Sequence, residues 1–484
     1  MTLDYDVVII GGSLAGRYAA LVATQLKAKV ALVESQVDYG VIYRQAMGKI
    51  AHLAQPADNL ANFGISAINV NAAEKSPISM NWAEAMLYSQ GVVANIQEQT
   101  SPSVLAAQGV DVIFGNGQFS DKHDLAFAVN QRRLRGRTYL LANGSRPAIP
   151  EIEGLQTTGY LTLANIWQAF KAPKPPQDWV ILGGVPQSIE IAQTLAKLGC
   201  RVILSVKHPY VIPHLDPEIS QLLLAQLEAD GIRVLTEKIV SQVRQIDDKK
   251  WLQIGDKAIE VDEILVATAQ QPNIESLNLS AADVKVHQQR LLINEKLQTT
   301  NHRIYACGDV IGGYDFANIA QYEARIAIKN ALFLPRLKVN YANIPWAIFS
   351  EPTLTRVGLT QAQAQRRYSP KEIIVLRNYY KSVAAAQLEN QITGVCQLIV
   401  LRNGKILGAT IFGQEARELI NLISFAMNQK IHVQHLANLS PIYPSFSEVL
   451  ETAAREWSNQ KLHNNLARQE WLEGFFYFRR NWNL

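Results

Sequence analysis

Gly11, Ser13, Gly16 and Glu34 have the types and spacing to hold a dinucleotide. They lie in VVIIGGSLAGRYAALVATQLKAKVALVE, residues 7–34. Gly11 permits a tight turn after a strand, and Gly16 lets the following helix lie close against that strand. Ser13 is a small residue where the motif has its second glycine, so it narrows the approach without closing it. Free N–H groups at a helix start attract a diphosphate. A carboxylate closing the second strand, Glu34, is placed to accept the hydroxyls of an adenosine ribose. The elements required are strand, turn, helix, strand. Val7 to Ile10 is apolar, Leu14, Ala15, Tyr18, Ala19, Val22 and Leu26 keep helical spacing, and Lys29 to Val33 precedes Glu34. An ordinary βαβ turn is the bland alternative, and Glu34 tips the balance to the nucleotide.

Length and composition bound the rest. The 484 residues suggest about three domains. A hydrophobic share of 48% suits a globular chain with large cores. Cys200, Cys307 and Cys396 are far apart and form no CxxC pair, which fits a reduced compartment and excludes a disulfide scaffold. No basic leader precedes the first strand and no apolar run approaches spanning length, so a soluble, unprocessed, cytoplasmic body is expected. The net charge of +4 is too mild to argue for nucleic acid, though it suits an acidic partner or an anionic surface.

Helices are expected between Glu34 and about residue 100, with loops around Asp38–Gly40 and Pro56–Asn59. Strands are expected at Val110–Phe114, Leu125–Val129 and Tyr139–Ala142. The clearest boundary is KAPKPPQD, Lys171 to Asp178. A second copy of the opening pattern follows: strand Trp179–Leu182, turn Gly183-Gly184, helix Ile189–Leu198, strand Arg201–Val206. Here Val185 and Ser188 replace the second and third glycines, and Val185 would crowd a diphosphate. The second strand ends in Lys207-His208 with no carboxylate. Lys207 or His208 could meet a 2′-phosphate, so NADPH is favoured over NADH if the site is used; a fold retained without its ligand is the alternative. Beyond Tyr341, strands at Ile373–Leu376, Val395–Leu401 and Ile406–Phe412 precede helices around Glu415–Met427 and Phe446–Asn459, an α+β end domain.

Taken together the chain resembles the pyridine nucleotide–disulfide oxidoreductases. Gly11 to Glu34 is similar to that family's FAD fingerprint. Ala142-Asn143-Gly144-Ser145-Arg146-Pro147 looks like ATGSRP, and Ala267–Asn273 looks like ATGRxPN with Gly and Arg lost. Tyr305-Ala306-Cys307-Gly308-Asp309 matches the second flavin motif, whose Asp binds the ribityl chain. Val357–Thr360 and Gly408–Gly413 match the dimerisation domain. The resemblance implies an α/β fold with two Rossmann-like nucleotide-binding domains, glutathione reductase-like, plus a C-terminal α+β dimerisation domain. Residues 1–150 and 275–340 would bind FAD, 151–274 would be the NAD(P)-binding-like domain, 341–465 would dimerise, and 466–484 would form an aromatic, basic tail. FAD would be held by Gly11, Ser13, Gly16, Glu34, Gly144, Gly308 and Asp309, and NADP by Gly183 and Lys207.

The departures are in the reaction centre. Where the family carries a redox CxxxxC, this chain has Ile42 and Met47, which form no thiolate. The family's C-terminal HPTxxE becomes Tyr443-Pro444-Ser445-Phe446-Ser447-Glu448, and a tyrosine is a poor base at neutral pH. A base that serves a thiol has no task once the thiol is gone. Tyr43, Arg44 and Gln45 would line the flavin face left open, and Tyr443 and Glu448 would face the partner subunit's flavin. Glu190 matches a glutamate that pairs with a lysine near the flavin, with Lys49 its nearest candidate partner. Cys307 reads as a packing thiol, Cys200 and Cys396 as core residues of strands. His432 and His435 have no third ligand, so no metal is expected.

Two functions compete. One is an FAD-dependent oxidoreductase passing electrons from NAD(P)H or another carrier to a non-disulfide acceptor, for example a quinone. The other is a degenerate flavoprotein that serves as a scaffold with structural FAD. A homodimer is expected in either case. The tail WLEGFFYFRRNWNL, residues 471–484, carries six aromatics. Gly474 is expected to break the preceding helix, so that the segment packs on its own body or across the dimer, or anchors to a membrane surface or a protein complex.

Overall fold

The computed structural model describes the chain except for residues 1–2, 35–39, 55–80, 121–124, 173, 214, 314, 464–465 and 483–484. The expected loops at Asp38–Gly40 and Pro56–Asn59 fall wholly or mostly outside the described residues. The chain divides into two compact units, Met1–Ile212 with Leu222–Val339, and Pro213–Gln221 with Asn340–Leu484.

In the larger unit β1 (Tyr5–Ile10), β2 (Val30–Glu34), β3 (Val110–Phe114) and β4 (Gly136–Leu141) come first. Next are β5 (Leu161–Thr162), β6 (Asp178–Gly183), β7 (Arg201–Val206), β8 (Arg233–Thr236) and β9 (Glu263–Val266), with β10 (Ile304–Ala306) last. They form two parallel sheets of order β10-β4-β1-β2-β3 and β8-β7-β6-β9-β5. Both orders have the first strand of the copy at the centre and a reversal beside it, which is where such sheets open a crevice for ligands. Val7, Val8, Ile9 and Ile10 pair in parallel with residues of both β2 and β4. They are apolar on both faces because both faces are covered. Val7 and Ile9 meet Ala15 and Ala19 of α1 (Leu14–Gln25), while Val8 and Ile10 meet Phe127 and Tyr139. The expected strand Leu125–Val129 is shorter than its apolar run, at Phe127–Val129.

Three further helices of this unit matter for the site: α2 (Gly40–Leu53), α3 (Trp82–Glu98) and α4 (Pro186–Lys197). Helix α4 begins three residues earlier than its apolar periodicity suggested, because Pro186 takes the first helical position, where a missing N–H costs nothing. Cys200 is buried but lies just ahead of β7 rather than within a strand.

The smaller unit is an antiparallel five-stranded sheet in the order β11-β12-β15-β14-β13. Its strands are β11 (Trp346–Ile348), β12 (Thr353–Gly358), β13 (Ile373–Tyr379), β14 (Val395–Leu401) and β15 (Ile406–Gly413). Two helices, α5 (Ala416–Asn428) and α6 (Glu448–His463), bury Ile420, Ile423, Leu450 and Trp457 against Leu398, Val400 and Ile411. This is the α+β layer expected from the pattern.

The tail corrects the sequence reading. Helix α7 runs unbroken over Leu466–Asn481, through Gly474, and none of its residues is buried. A helical glycine costs about 1 kcal/mol relative to alanine. That is too little to stop a helix in which Trp471 stacks on Phe475 one turn later, with ring centroids 5.6 Å apart. Among the described residues no side chain of α7 is fully buried, and Gln469 Nε2 donates to the Leu462 (2.9 Å) and His463 (2.8 Å) carbonyls at the end of α6. No helix of the described residues is long and apolar enough to cross a membrane.

Candidate functional site

The first glycine turn is closed against backbone. Gly11 has φ 115°, and a Cβ there would lie 2.4 Å from the backbone of Ala142 and Asn143. A Cβ on Gly16 would come within 2.0 Å of the Gly11 carbonyl oxygen. Ser13 caps α1: its Oγ accepts from Gly16 N (3.2 Å) and donates to the Ala142 carbonyl (2.6 Å). The turn thus has the backbone closeness that a diphosphate needs at a helix start, and it fits the dinucleotide expected there.

Glu34 is not a lone carboxylate. Arg17 Nη2 donates to its Oε1 (3.0 Å) and Arg17 Nε to its Oε2 (3.2 Å), with both side chains buried. Arg17 Nη1 also donates to the Thr100 carbonyl at 2.6 Å. This partner was missed from the sequence. The available signal was one arginine in an otherwise small and apolar helix, LAGRYAALVA.

The two segments resembling ATGSRP and ATGRxPN pair with each other. Residues 145–147 and 270–272 form an antiparallel ladder, and Asn273 N donates to the Gly144 carbonyl at 3.1 Å. Asn143 and Asn273 exchange side-chain hydrogen bonds with each other's backbone. Gly308 N donates to Glu323 Oε2 at 2.7 Å, and Asp309 follows in the same short turn. Gly11, Ser13, Glu34, Gly144, Gly308 and Asp309 therefore close or follow strands β1, β2, β4 and β10 of one sheet, and Gly16 lies in the first turn of α1.

The second glycine turn is looser. A Cβ on Gly183 would meet side chains, Leu204 Cδ1 at 2.5 Å and Ser188 Oγ at 2.9 Å. Ser188 Oγ accepts from Gly184 N (3.3 Å) and donates to the Val185 carbonyl (2.6 Å), so an N–H that a diphosphate could use is already engaged. Lys207 and His208 are exposed beyond the end of β7. Beside this turn is a cavity of about 300 Å³ lined by Val185, Gln187, Gln270, Arg290, Asp309 and Asp315, among others, so the turn and the second flavin motif share one space. Lys207 is not among its lining residues.

Helix α2 lies where the redox cysteines would be. Met47 is fully buried, Ile42 half-buried. Arg44 Nε is 3.9 Å and Gln45 Nε2 3.5 Å from Glu190 Oε2 on α4. The expected pairing of Glu190 with Lys49 is therefore corrected. Lys49 is exposed, and the cation facing Glu190 is Arg44, about one helical turn earlier. Arg44 Nε is buried and makes no hydrogen bond. Tyr43 packs on Trp167 with centroids 5.7 Å apart, and burial pushes its phenol pKa above the usual value.

All three cysteines are buried and free. Burial raises the Cys200 thiol to about 11 and the Cys396 thiol to about 12. Burial, reinforced by Glu323 and Asp309, also holds Cys307 well above the ordinary range. None is a thiolate at neutral pH. In the smaller unit Tyr443 is 76% exposed, and Glu448 Oε1 accepts from Ser445 N at 2.9 Å, a cap for α6.

Residues 5–324 match the pyridine nucleotide-disulphide oxidoreductase family, and residues 344–454 match that family's dimerisation domain. Mercuric reductase of Staphylococcus aureus is 30% identical over 464 residues, covering 93% of this chain and 82% of that protein. Dihydrolipoyl dehydrogenase of Synechocystis sp. is 27% identical over 479 residues, covering 93% and 98%. The HOCl-induced flavoprotein disulfide reductase RclA of Escherichia coli shares the fold, with a TM-score of 0.80 at 23% identity over 93% of this chain and 99% of that one. Members of the family use FAD and NAD(P)H. Two nucleotide-binding sheets and an attached dimerisation domain give the expected α/β architecture, and the match favours the enzyme over the scaffold. The chain belongs to the pyridine nucleotide-disulphide oxidoreductase family and is an FAD-dependent oxidoreductase with that family's dimerisation domain.

Proposed function

We infer that this oxidoreductase takes electrons from NAD(P)H, with NADPH favoured, and delivers them to an acceptor that is not a disulfide, a quinone being the type case. The observation that carries this reading is the state of its thiols: no cysteine precedes Cys200, and all three are buried and held neutral. Disulfide exchange needs an accessible thiolate. The name mercuric reductase, carried by relatives, suggests a mercuric acceptor. A soft cation of that kind is gathered by thiolates, which this chain does not offer.

Gly11, Ser13 and Gly16 would hold the FAD diphosphate, Glu34 its ribose, and Gly144, Gly308 and Asp309 the remainder. Bound FAD would supply hydride and electron transfer that needs no protein thiol. Arg17 fixes the rotamer of Glu34 and leaves lone pairs on both oxygens for hydroxyl donors. Arg44 and Gln45, set against Glu190, put a cation and an amide on α2, and Tyr43 adds an aromatic wall with Trp167. These groups suit a planar acceptor with carbonyl oxygens. Tyr443 and Glu448 are assigned to the partner-facing side of the dimer.

Anaerobic titration is the test. NADPH should bleach the flavin more readily than NADH, and a quinone should reoxidise it in stopped flow. Oxidised glutathione or lipoamide reoxidising it at a catalytic rate would overturn the reading. A thiol reagent should find no rapidly reacting cysteine in the native protein and three after unfolding.

We also infer that α7 is a docking surface. Trp471, Phe475, Phe478 and Trp482 recur at helical spacing and are 42–64% exposed, with Arg479 and Arg480 beside them. Aromatics with arginines suit a membrane headgroup layer or a protein hot spot. Removing residues 466–484 should leave a folded, yellow dimer that no longer sediments with membranes or a large complex. Loss of dimerisation instead would place the helix in the subunit interface.

A further inference from the structure

The second half of α7 is uncovered on every side. The helix is fastened near its start, where Gln469 Nε2 donates to the Leu462 and His463 carbonyls at the end of α6. From Glu473 to Trp482 every residue is exposed. The matched dimerisation segment ends at residue 454, so α7 lies outside it.

The placement of aromatics around the helix axis says what covers them. Phe475, Phe476, Tyr477 and Phe478 are successive, so they occupy all sides of one turn. They are 42–67% exposed. A flat protein partner, or a second α7, covers one stripe of a helix and leaves the opposite side in water. Phe478 lies on the stripe of Trp471 and Phe475, whereas Phe476 lies nearly opposite it. A turn that is apolar all round needs surroundings that enclose it. The boundary between lipid headgroups and acyl chains supplies them. Tyr477 and Trp482 each join an apolar ring to one polar atom, the kind of side chain that settles at that boundary. The charges agree. No acidic side chain occurs between Gly474 and Asn481, while Arg479 and Arg480 sit in the last turn. Their long stems keep the guanidinium groups among phosphates while the rings sink below.

We propose that the second half of α7 is a membrane anchor. It inserts the aromatic turn 475–478 and Trp482 into a bilayer surface rich in anionic phospholipid, with Arg479 and Arg480 on the phosphates. This assignment rests on the reading of α7 as a docking surface, and goes beyond it by naming a lipid bilayer, not a protein, as the partner.

The test is co-sedimentation of the FAD-loaded full chain with vesicles of two kinds. One is phosphatidylcholine alone, the other an equal mixture with phosphatidylglycerol. The anionic vesicles should be bound more tightly, and less so as salt is raised. Arg479→Gln with Arg480→Gln should weaken that binding about thirtyfold. Phe476→Ser and Phe478→Ser, on opposite sides of the helix, should each weaken it about tenfold. Removing residues 466–484 should abolish it and leave a yellow dimer, and the point variants serve if the shortened chain folds poorly. A loss confined to Phe478→Ser would mean a partner that covers one face, and would overturn the proposal. So would equal binding to neutral and anionic vesicles with the arginine variant unchanged. A full chain that binds neither vesicle would overturn the lipid assignment and leave α7 to a protein partner. Full and shortened chains that bind alike would overturn the docking reading as well. A shortened chain that is monomeric would place α7 in the subunit interface and overturn both.

Discussion

The chain contains two glycine turns built on one plan, and they have diverged in what closes them. In the first, Gly11 and Gly16 face backbone atoms at 2.0–2.4 Å, so neither side can give way. In the second, Gly183 faces the tips of Leu204 and Ser188, and Val185 stands where the motif has a glycine. Each turn carries one serine that closes it internally. Ser13 engages Gly16 N, at the helix side, whereas Ser188 engages Gly184 N, on the ligand side. The plan survives more easily than the ligand contacts. A sheet, a helix and a short turn are secured by packing, but a phosphate depends on single N–H groups that one hydroxyl can take.

The largest expected effect is at Gly16. Gly16→Ala should cost about 3 kcal/mol or more, because a methyl must be forced into a carbonyl. It should also yield nearly colourless protein, as read by the flavin absorbance of the purified variant. Gly183→Ala should cost only about 1 kcal/mol, since Leu204 can rotate, with the yellow colour kept. Equal losses at the two sites would mean that the turns are not closed by different things.

Next comes the carboxylate that the first copy has and the second lacks. Arg17→Leu leaves Glu34 buried without its cation, and breaking such a pair costs about 3–5 kcal/mol. Urea unfolding should show this together with weaker flavin retention. Arg17→Leu combined with Glu34→Gln should recover much of the stability, because the orphaned charge is gone, yet not the flavin affinity. A double variant no more stable than Arg17→Leu would mean that an orphaned charge is not what destabilises the single variant.

Ser188→Ala sharpens the comparison directly. Loss of its two hydrogen bonds to the turn should destabilise by about 1 kcal/mol. Freeing Gly184 N should at the same time tighten NADP⁺ binding severalfold, as fluorescence titration would report. Ser13→Ala should cost about as much but weaken FAD retention, because Ser13 also fastens the turn to Ala142. Opposite signs on the two ligands are the signature sought, and matching signs would refute it.

These differences mark what the sequence could and could not reveal. β1, α1 and β2 were legible because a run of adjacent apolar residues and a helical period are local signals. The same holds for β7 and β14, read to the residue. The Arg17–Glu34 pair was not legible, because it depends on where the first turn of α1 points relative to the end of β2. Arg44 was passed over for Lys49 because register along α2 was taken from the resemblance, and only the packing of α2 on α4 decides which cation faces Glu190. Gly474 misled because propensity was read alone, without the Trp471–Phe475 stacking that offsets it. The hydrogen bond from Gln187 Nε2 to Asp315 was not legible either, since its partners lie 128 positions apart.

The smallest effect concerns how each sheet is fastened at its edge away from the ligand. In the first copy Asp6 Oδ2 accepts from Lys29 N at 2.8 Å, just ahead of β2. In the second, Asp262 Oδ2 accepts from Gln177 N (2.7 Å) and Asp178 N (2.9 Å) at the start of β6, and Lys249 pairs with its other oxygen. Burial alone would raise the Asp262 pKa, but Lys249 and the two N–H groups outweigh it and bring it down to about 2. An aspartate in an unfolded chain titrates near 3.9. The folded value is the lower one, so the stabilisation is complete above about pH 4 and is lost as pH falls through about 2. Asp262 is a quarter exposed, and solvent screening limits the contribution to about 1 kcal/mol or less. Asp262→Asn should therefore lower stability modestly at pH 7, and its unfolding curve should converge on that of wild type as the pH approaches 2. A gap between the two proteins that stays constant from pH 7 to pH 2 would mean that the carboxylate's charge contributes nothing, and that the second sheet is held at this edge by its backbone alone.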